Sequence, residues 1–200
     1  MNLKRKIINR INRFESGKVF IVKDFLDIAN YETVKSTLNR LVKDKEIDKV
    51  GRGLYFKPEY IAIIDEYEKA SLENIAKAIA RKFNWMIVPS GNKLLNLLGL
   101  STQVPAKTIY LTNGRNAKFK FGNFYIWFKH ANNKEFNKDS ELATIIMQAI
   151  KALGKGKVTK YETNYLKKKL SIEDKKTLLR DCRMASNWVY NEIEKICEVQ

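Results

Sequence analysis

The hydrophobic pattern of residues 1–58 changes period several times within a short stretch. Apolar residues at helical spacing, short β-branched runs and glycines divide it into six elements. The predicted elements are helices at residues 2–14, 23–29 and 31–44 and strands at 19–21, 47–50 and 54–56. Asn30 is the expected N-cap of the third helix. The order helix, strand, helix, helix, hairpin is that of a winged helix-turn-helix, in which the third helix enters the major groove of DNA.

The remainder of the chain, residues 59–200, predicts an α+β domain with a small antiparallel sheet. Residues 59–69 are expected to be a connector that begins a helix, and Asn113-Gly114 to be a tight turn between strands. The other predicted elements are strands at 85–88, 108–112, 117–121 and 124–128 and helices at 71–83, 94–98, 139–153, 159–169, 171–181 and 184–198. The chain therefore divides into a domain of residues 1–58 and a domain of residues 59–200 with a helical part at about 135–200.

Charge adds a class of partner to this outline. The net charge is +16, which fits a polyanion better than a small neutral substrate. Residues 1–58 carry 14 basic and 7 acidic side chains, whereas residues 59–73 are mainly acidic. No Asp or Glu occurs from Asn74 to Lys134, a stretch of 61 residues with ten Lys or Arg, and residues 135–200 are close to balanced. Two basic blocks on either side of an acidic one indicate two basic surfaces, or one surface built from two domains.

The third helix carries the strongest candidates for reading DNA. On a helical wheel its apolar stripe centres near Leu38, and the opposite face is polar. That face carries Glu32, Ser36, Arg40 and Lys43, flanked by Thr33 and Asn39. Hydroxyl, amide and guanidinium groups are the types that contact base edges and phosphates. Any surface helix is polar outside, but the basic first helix and the hairpin favour DNA binding.

Arg52 is the most specific single candidate. Glycines on both sides allow a tight turn and leave the guanidinium unscreened. An arginine at the tip of a wing can enter a narrow A·T minor groove, where the potential is most negative. The alternative is an exposed turn residue with no partner.

The later strands interleave basic and aromatic residues. Such interleaving is typical of platforms for single-stranded nucleic acid or RNA, on which bases stack. It is equally the pattern of a half-buried strand with its rings inward, and the core interpretation is favoured. The additional basic surface is expected to include Lys4, Arg5, Lys93, Lys107, Arg115, Lys118 and Lys120.

The sequence lacks the residue patterns that several kinds of catalytic and metal site require. Cys182 and Cys197 are the only cysteines and His130 is the only histidine, which is too few for a disulfide scaffold or a thiolate zinc site. The most strand-like segment holds no carboxylate, which argues against a metal-dependent nuclease or transferase. Gly154–Lys157 lacks the spacing of a phosphate-binding loop. No apolar run reaches the roughly 20 residues that cross a membrane. We expect a cytoplasmic, non-enzymatic binding protein without a metal or cofactor.

Two sets of strings in the chain carry a resemblance to a known family. The first set is Val19-Phe20, Lys23-Asp24-Phe25, Val34, Leu38-Asn39-Arg40-Leu41-Val42, Ile47 and Gly51-Arg52-Gly53-Leu54-Tyr55. The second set is Val88-Pro89-Ser90-Gly91, Leu97 to Lys107 and Tyr110-Leu111-Thr112-Asn113-Gly114. The first set resembles the winged-helix domain, and the second set resembles the second domain, of the AbiEi-type antitoxins of abortive-infection, type IV toxin–antitoxin pairs. The resemblance covers about residues 1–130.

The resemblance implies a repressor of its own operon that also counters a nucleotidyltransferase-like toxin encoded beside it. It implies double-stranded promoter DNA as a partner, contacted by Thr33, Ser36, Arg40 and Arg52, with the protein a monomer or weak homo-oligomer on DNA. The alternative is a protein- or RNA-binding antitoxin module that acts through residues 74–134 without reading DNA sequence.

Overall fold

The computed structural model describes residues 3–103, 107–132, 136–137 and 140–198. Predictions that involve residue 2, Val104-Pro105-Ala106, Lys134 or Asp139 lie outside the described residues. The chain forms two compact units: residues 1–85 with 120–124, and residues 86–119 with 125–200. No helix among the described residues is both long and apolar enough to cross a membrane.

Residues 3–85 of the first unit form three α-helices and five short strands. These elements are α1 Leu3–Ile11, β1 Val19–Phe20, α2 Tyr31–Lys43, β2 Asp48–Gly51, β3 Leu54–Phe56, β4 Tyr60–Ile61, β5 Glu66–Tyr67 and α3 Leu72–Phe83. The helix predicted at residues 23–29 is only a 3₁₀ turn at Val22–Phe25. The side chain of Asp24 fixes this turn, since its Oδ2 accepts from the Ile21 amide at 3.0 Å.

Helices α1 and α2 enclose the core of the first unit together with a three-stranded sheet. The sheet has the order β1-β3-β2 with antiparallel pairs, and Tyr55 stands opposite both Phe20 and Lys49. The buried side chains of this core include Ile7, Ile11, Phe20, Phe25, Val34, Leu38, Leu41, Ile47 and Tyr55. Val34, Leu38 and Leu41 recur at helical spacing with no exposed surface, so they fix which face of α2 points outward.

Helix α3 belongs to the first unit, although it follows the predicted boundary at residue 58. The side-chain Nδ2 of Asn74 donates to the Gly17 carbonyl at 2.7 Å, and the Arg81 guanidinium donates to the Val19 carbonyl at 2.7 Å. These bonds join α3 to the segment that leads into β1. Composition and charge did not reveal them, because they link residues more than 50 positions apart.

The prediction that residues 59–69 begin a helix is wrong. Strands β4 and β5 form a two-stranded hairpin in which Tyr60 stands opposite Tyr67 and Ile61 opposite Glu66. The apolar residues at 60–64 are consecutive, so they do not form the one-sided apolar face of an amphipathic helix, and the larger side chains among them are exposed. A positive φ of 53° at Asp65 reverses the chain before β5.

The second unit combines a sheet with five helices among the described residues. Its elements are β6 Ile87–Pro89, α4 Asn92–Leu98, β7 Thr108–Thr112, β8 Ala117–Phe121, β9 Phe124–His130, α5 Glu141–Leu153, α6 Lys160–Lys169, α7 Ile172–Asp181 and α8 Asn187–Cys197. The tip of the β8–β9 hairpin, residues 120–124, clusters with the first unit. The α+β class is confirmed, and the helices predicted for the C-terminal part are present.

The four-stranded sheet is mixed, which corrects the expected antiparallel arrangement. Its order is β6-β7-β9-β8, and β7 and β9 are parallel. Asn113-Gly114 therefore does not join paired strands but leads across the end of β9. The crossing is held by the Ala131 amide, which donates to the Thr112 carbonyl at 2.8 Å, and by His130 Nδ1, which lies 2.6 Å from the Gly114 carbonyl.

Helices α5 to α8 have their own core. Buried side chains on these helices include Ile146, Ile150, Leu166, Leu178, Val189, Ile193 and Ile196, together with Cys182 and Cys197. Ser140 and Ser171 cap α5 and α7, each accepting a backbone amide at 3.1 Å. Capping side chains satisfy amides that have no partner within the helix, which explains why these helix starts were visible in the sequence.

Candidate nucleic-acid interface

The outward face of α2 is set by its N-cap and its buried stripe. Asn30 Oδ1 accepts from the Thr33 amide at 2.9 Å and starts the helix. Because Val34 and Leu38 are fully buried, Ser36 and Arg40 point away from the core and are exposed. This is the arrangement expected from the helical wheel.

The outward face of α2 forms a ridge with an open groove on each side. One groove, of about 410 Å³, lies toward α1, and the other, of about 290 Å³, runs along the side of α2 that carries Lys35, Asn39 and Lys43. Glu32, Ser36 and Arg40 border both grooves. Thr33 lines the first groove and Lys43 the second. The structure therefore brings these five side chains onto one continuous surface.

The positive charges of this surface differ in their availability. Among the described residues, no ion pair involves the side chains of Arg40 or Lys43. Lys35, by contrast, pairs with Glu32 at 3.3 Å, which offsets the one acidic side chain on the ridge. Arg40 and Lys43 are thus the cations of α2 that remain free for an anion.

Asn39 has a structural contact that the sequence did not suggest. Its side chain is half-buried, and its Oδ1 accepts from the Tyr55 hydroxyl of β3 at 3.2 Å. Burial raises the pKa of the Tyr55 phenol, which keeps the donor protonated. This bond uses one of the two lone pairs of the Asn39 amide oxygen and orients the Asn39 side chain toward β3. The bond also links α2 to the β2–β3 hairpin.

The two basic residues predicted on α1 are not equivalent. Lys4 Nζ lies 2.9 Å from carboxylate oxygens of both Asp44 and Glu46. The hydrogen bonds to these carboxylates raise the pKa of Lys4, and the two acids neutralise its charge. Lys4 therefore lines the groove beside Arg40 without adding net positive charge. Arg5 is exposed and makes no ion pair within the described part of the chain.

Arg52 lies at the tip of the β2–β3 hairpin. Gly51 pairs with Leu54, so Arg52 and Gly53 form a two-residue turn. Gly53 has a φ of 69°, a conformation that side chains with a Cβ disfavour. The Arg52 side chain is exposed, in agreement with its predicted position at the tip of a hairpin.

Lys82 of α3 holds this turn and was missed in the sequence. Its Nζ donates to the Arg52 carbonyl at 2.5 Å and would lie 3.3 Å from a Cβ added at Gly53. Burial, followed by the nearby charge of Arg52, lowers the pKa of Lys82. Lys23 joins the cluster through a 2.9 Å hydrogen bond to the Lys82 carbonyl. Nothing in the local sequence marks Lys82, because its partner is 30 residues away.

The basic residues predicted in the central block are dispersed. Lys93 is half-buried and donates to the Tyr110 hydroxyl at 2.7 Å. Lys107 and Arg115 are exposed in the segments that precede β7 and β8. Lys120 is exposed and clusters with the first unit. Lys93, Lys107 and Arg115 thus lie on three separate segments of the chain, whereas the residues of α2 share one helix face.

Strand β9 has a buried face and a partly exposed face, and aromatic side chains lie on both. Ile126 and Phe128 are buried, in agreement with the core interpretation. Tyr125 and Trp127 alternate with them and are only partly covered. Lys118 Nζ lies 4.0 Å from the Tyr125 ring centroid and 4.2 Å from that of Trp127. These distances define a cation–π cluster on the face opposite Phe128.

The described residues contain no group of three His, Cys, Asp or Glu side chains that could hold a metal ion. Cys182 and Cys197 are free and buried in the helical core. Burial, followed by the nearby carboxylate of Asp181, raises the pKa of Cys182 to about 12, which keeps its thiol protonated at neutral pH.

These features define an α+β protein whose first unit presents an exposed, cationic helix face beside an arginine-tipped hairpin. The chain belongs to DUF6088, a family of unknown function, whose model matches residues 6–178. A comparison with curated proteins gives no significant match.

Proposed function

We propose that the first unit is a winged helix-turn-helix and that the protein is a sequence-specific regulator that binds double-stranded DNA. The order of α1, β1, the 3₁₀ turn, α2 and the β2–β3 hairpin supports this assignment. Helix α2 is the recognition helix in this proposal, and the hairpin that carries Arg52 is the wing.

The observation that carries the proposal is the link between these two elements. The hydrogen bond from Tyr55 to Asn39 ties the hairpin to α2, so that Arg40 and Arg52 stand on elements of one packed unit. A helix that reads the major groove and a wing that contacts an adjacent phosphate or the minor groove must be held in a fixed position relative to each other. Exposed cations without a fixed relation would bind any polyanion.

The roles of the site residues follow from their chemistry. Arg40 and Ser36 are placed to contact base edges, while Lys43 and Arg5 contact phosphates. Arg52 enters the minor groove beside the recognition site. Thr33, near the N-terminus of α2, contacts either a base edge or a phosphate.

Binding to the DNA upstream of the protein's own gene tests this assignment. A gel shift should show a specific complex, and the Arg40→Ala, Arg52→Ala double variant should lose it. The Lys77→Ala, Lys176→Ala double variant is the matched control, because both lysines are exposed and already paired with Glu73 and Glu173. If the Arg40→Ala, Arg52→Ala protein binds as well as wild type at about 150 mM salt, the assigned surface is wrong.

In its biological setting, we propose that the protein represses its own operon and acts as the antitoxin of an abortive-infection pair. This part rests on the resemblance to AbiEi-type antitoxins. A nucleotidyltransferase-like reading frame beside the gene, whose expression is toxic without this protein, is the expected finding. Absence of such a toxin would leave the DNA-binding proposal standing and remove the antitoxin proposal.

A second candidate is an RNA- or protein-binding module in residues 74–134. The observation in its favour is the partly exposed cluster of Lys118, Tyr125 and Trp127. Crosslinks from RNA to Tyr125 or Trp127, or co-purification with the neighbouring gene product, would support it. If RNA crosslinks to neither residue and the Trp127→Ala protein keeps all cellular effects, this candidate fails.

A further inference from the structure

The β4–β5 hairpin exposes an unusual amount of apolar surface. We call residues 59–68 the arm. Ile63 is 95% exposed, Tyr67 64% and Ile64 58%, and Tyr60 and Ile61 are also exposed. Five of the 14 large hydrophobic side chains that are exposed among the described residues therefore lie within eight positions. Together they expose roughly 500 Å² of side chain, about as much as the largest patch on a typical monomer, and such patches are often functional.

The base of the arm is well attached to the first unit. Ser16 Oγ lies 3.1 Å from a carboxylate oxygen of Glu59 and 3.2 Å from one of Glu68. The Glu68 amide also donates to the Glu59 carbonyl at 2.8 Å. The rings of Tyr60 and Tyr67 pack edge to face, with centroids 5.4 Å apart. The arm is therefore a formed hairpin whose apolar end points away from its attachment.

The charge of the arm is opposite to that of the chain. It contains Glu59, Asp65, Glu66 and Glu68 and no Lys or Arg, whereas the protein as a whole carries +16. This charge disfavours nucleic acid as the partner of the arm, and it also disfavours contact between two arms. Because the arm is both acidic and apolar, its partner surface should carry basic side chains with apolar side chains between them. The rest of this same chain meets the charge requirement, since outside the arm it carries 38 basic and 18 acidic side chains.

We propose that the arm docks on the basic surface of a second copy of this chain and that the two copies exchange arms reciprocally. A stable interface buries about 800 Å² per partner, more than one arm supplies. Reciprocal exchange uses the contact twice and buries roughly 1,000 Å² per partner. It also closes the assembly with twofold symmetry, whereas one-way docking would leave a free arm at one end and build an open chain.

Sedimentation of the full-length protein over about 1–100 µM tests the proposal. We expect a dimer of twice the 23.3 kDa chain mass, in equilibrium with monomer. The Ile63→Ser, Ile64→Ser variant should weaken the dimer at least tenfold. The Ile172→Ser, Met184→Ser variant is the matched control, because those side chains are 71% and 85% exposed outside the arm, and it should dimerise like wild type. Thermal unfolding should show that both variants stay folded, since the changed side chains are exposed.

The charge part of the proposal has its own measurement. Glu66→Lys should weaken the dimer, because the docking is between opposite charges. For the same reason, higher salt should weaken the wild-type dimer. A protein that stays monomeric throughout the concentration range would overturn the proposal. So would a dimer that the Ile63→Ser, Ile64→Ser variant or Glu66→Lys leaves unchanged, or a series of assemblies larger than a dimer. These outcomes do not depend on DNA, so they are separate from the test of the proposed function.

Discussion

Lys82→Met is the perturbation that tests how the arginine-tipped hairpin is held. The substitution keeps an unbranched side chain that ends at the ε position and removes the ammonium that donates to the Arg52 carbonyl at 2.5 Å. A hydrogen bond from a charged donor contributes about 1.5–3 kcal/mol when it is buried, and the partial exposure of Lys82 reduces the expected contribution to about 1–2 kcal/mol. At 1.4 kcal/mol per factor of ten, opening of the turn should become about 5–30 times more frequent.

Amide hydrogen exchange without DNA measures this opening directly. Protection of residues 48–56 should fall by that factor in Lys82→Met, whereas helices α1 and α2 should exchange as in wild type. Lys77→Met is the control, because Lys77 lies on the same helix and its ion pair is with Glu73, at 2.9 Å, away from the hairpin turn. Unchanged protection of residues 48–56 in Lys82→Met would refute the reasoning.

A double-mutant cycle then connects the turn to DNA binding. If Lys82 acts by positioning Arg52, Lys82→Met should weaken binding in the wild-type background and have little effect in the Arg52→Ala background. It should also leave the salt dependence nearly unchanged, whereas a lysine that contacts phosphate lowers the slope by about one. An equal loss of affinity in both backgrounds would show that Lys82 contacts DNA independently of Arg52.

Three further predictions concern stability and reactivity. Asn30→Ala removes the cap of α2 and should lower the free energy of unfolding by about 1 kcal/mol, measured in urea, while Asn30→Asp should lose little. Tyr55→Phe removes the bond to Asn39 and should cost about 0.5–1.5 kcal/mol; no change would mean that water replaces the bond. Cys182 should resist iodoacetamide at pH 8 until the protein unfolds. Because its pKa rises from 9.0 to about 12 on folding, the unfolded chain loses this proton first, and stability should fall between those pH values; rapid alkylation of the native thiol would contradict this.

The parts of the fold that local chemistry determines could be predicted from the sequence. Asn30, Ser71 and Ser140 mark helix starts because each side chain accepts an amide of its own helix. The buried stripe of α2 likewise fixed the exposed position of Arg40. For these features the interacting residues are three or four positions apart.

The parts that depend on distant partners could not be predicted. Strand β7 pairs with β9 rather than with the next strand, and Asn113-Gly114 has the same local chemistry in either arrangement. Lys82 and Asn39 each depend on a partner that only the folded chain brings near. The arm was missed for a different reason, because its apolar residues face solvent and give no buried pattern to recognise.

The ratio of affinities for the upstream duplex and for a scrambled duplex of the same composition tests the central claim most directly. For a sequence-specific regulator we predict a ratio of at least about 10³ at physiological salt. Arg40→Ala with Arg52→Ala should reduce this ratio, since each arginine that reads bases contributes about 1–3 kcal/mol of discrimination. Equal affinity of the wild-type protein for both duplexes would contradict the claim and reduce the site to a general polyanion surface.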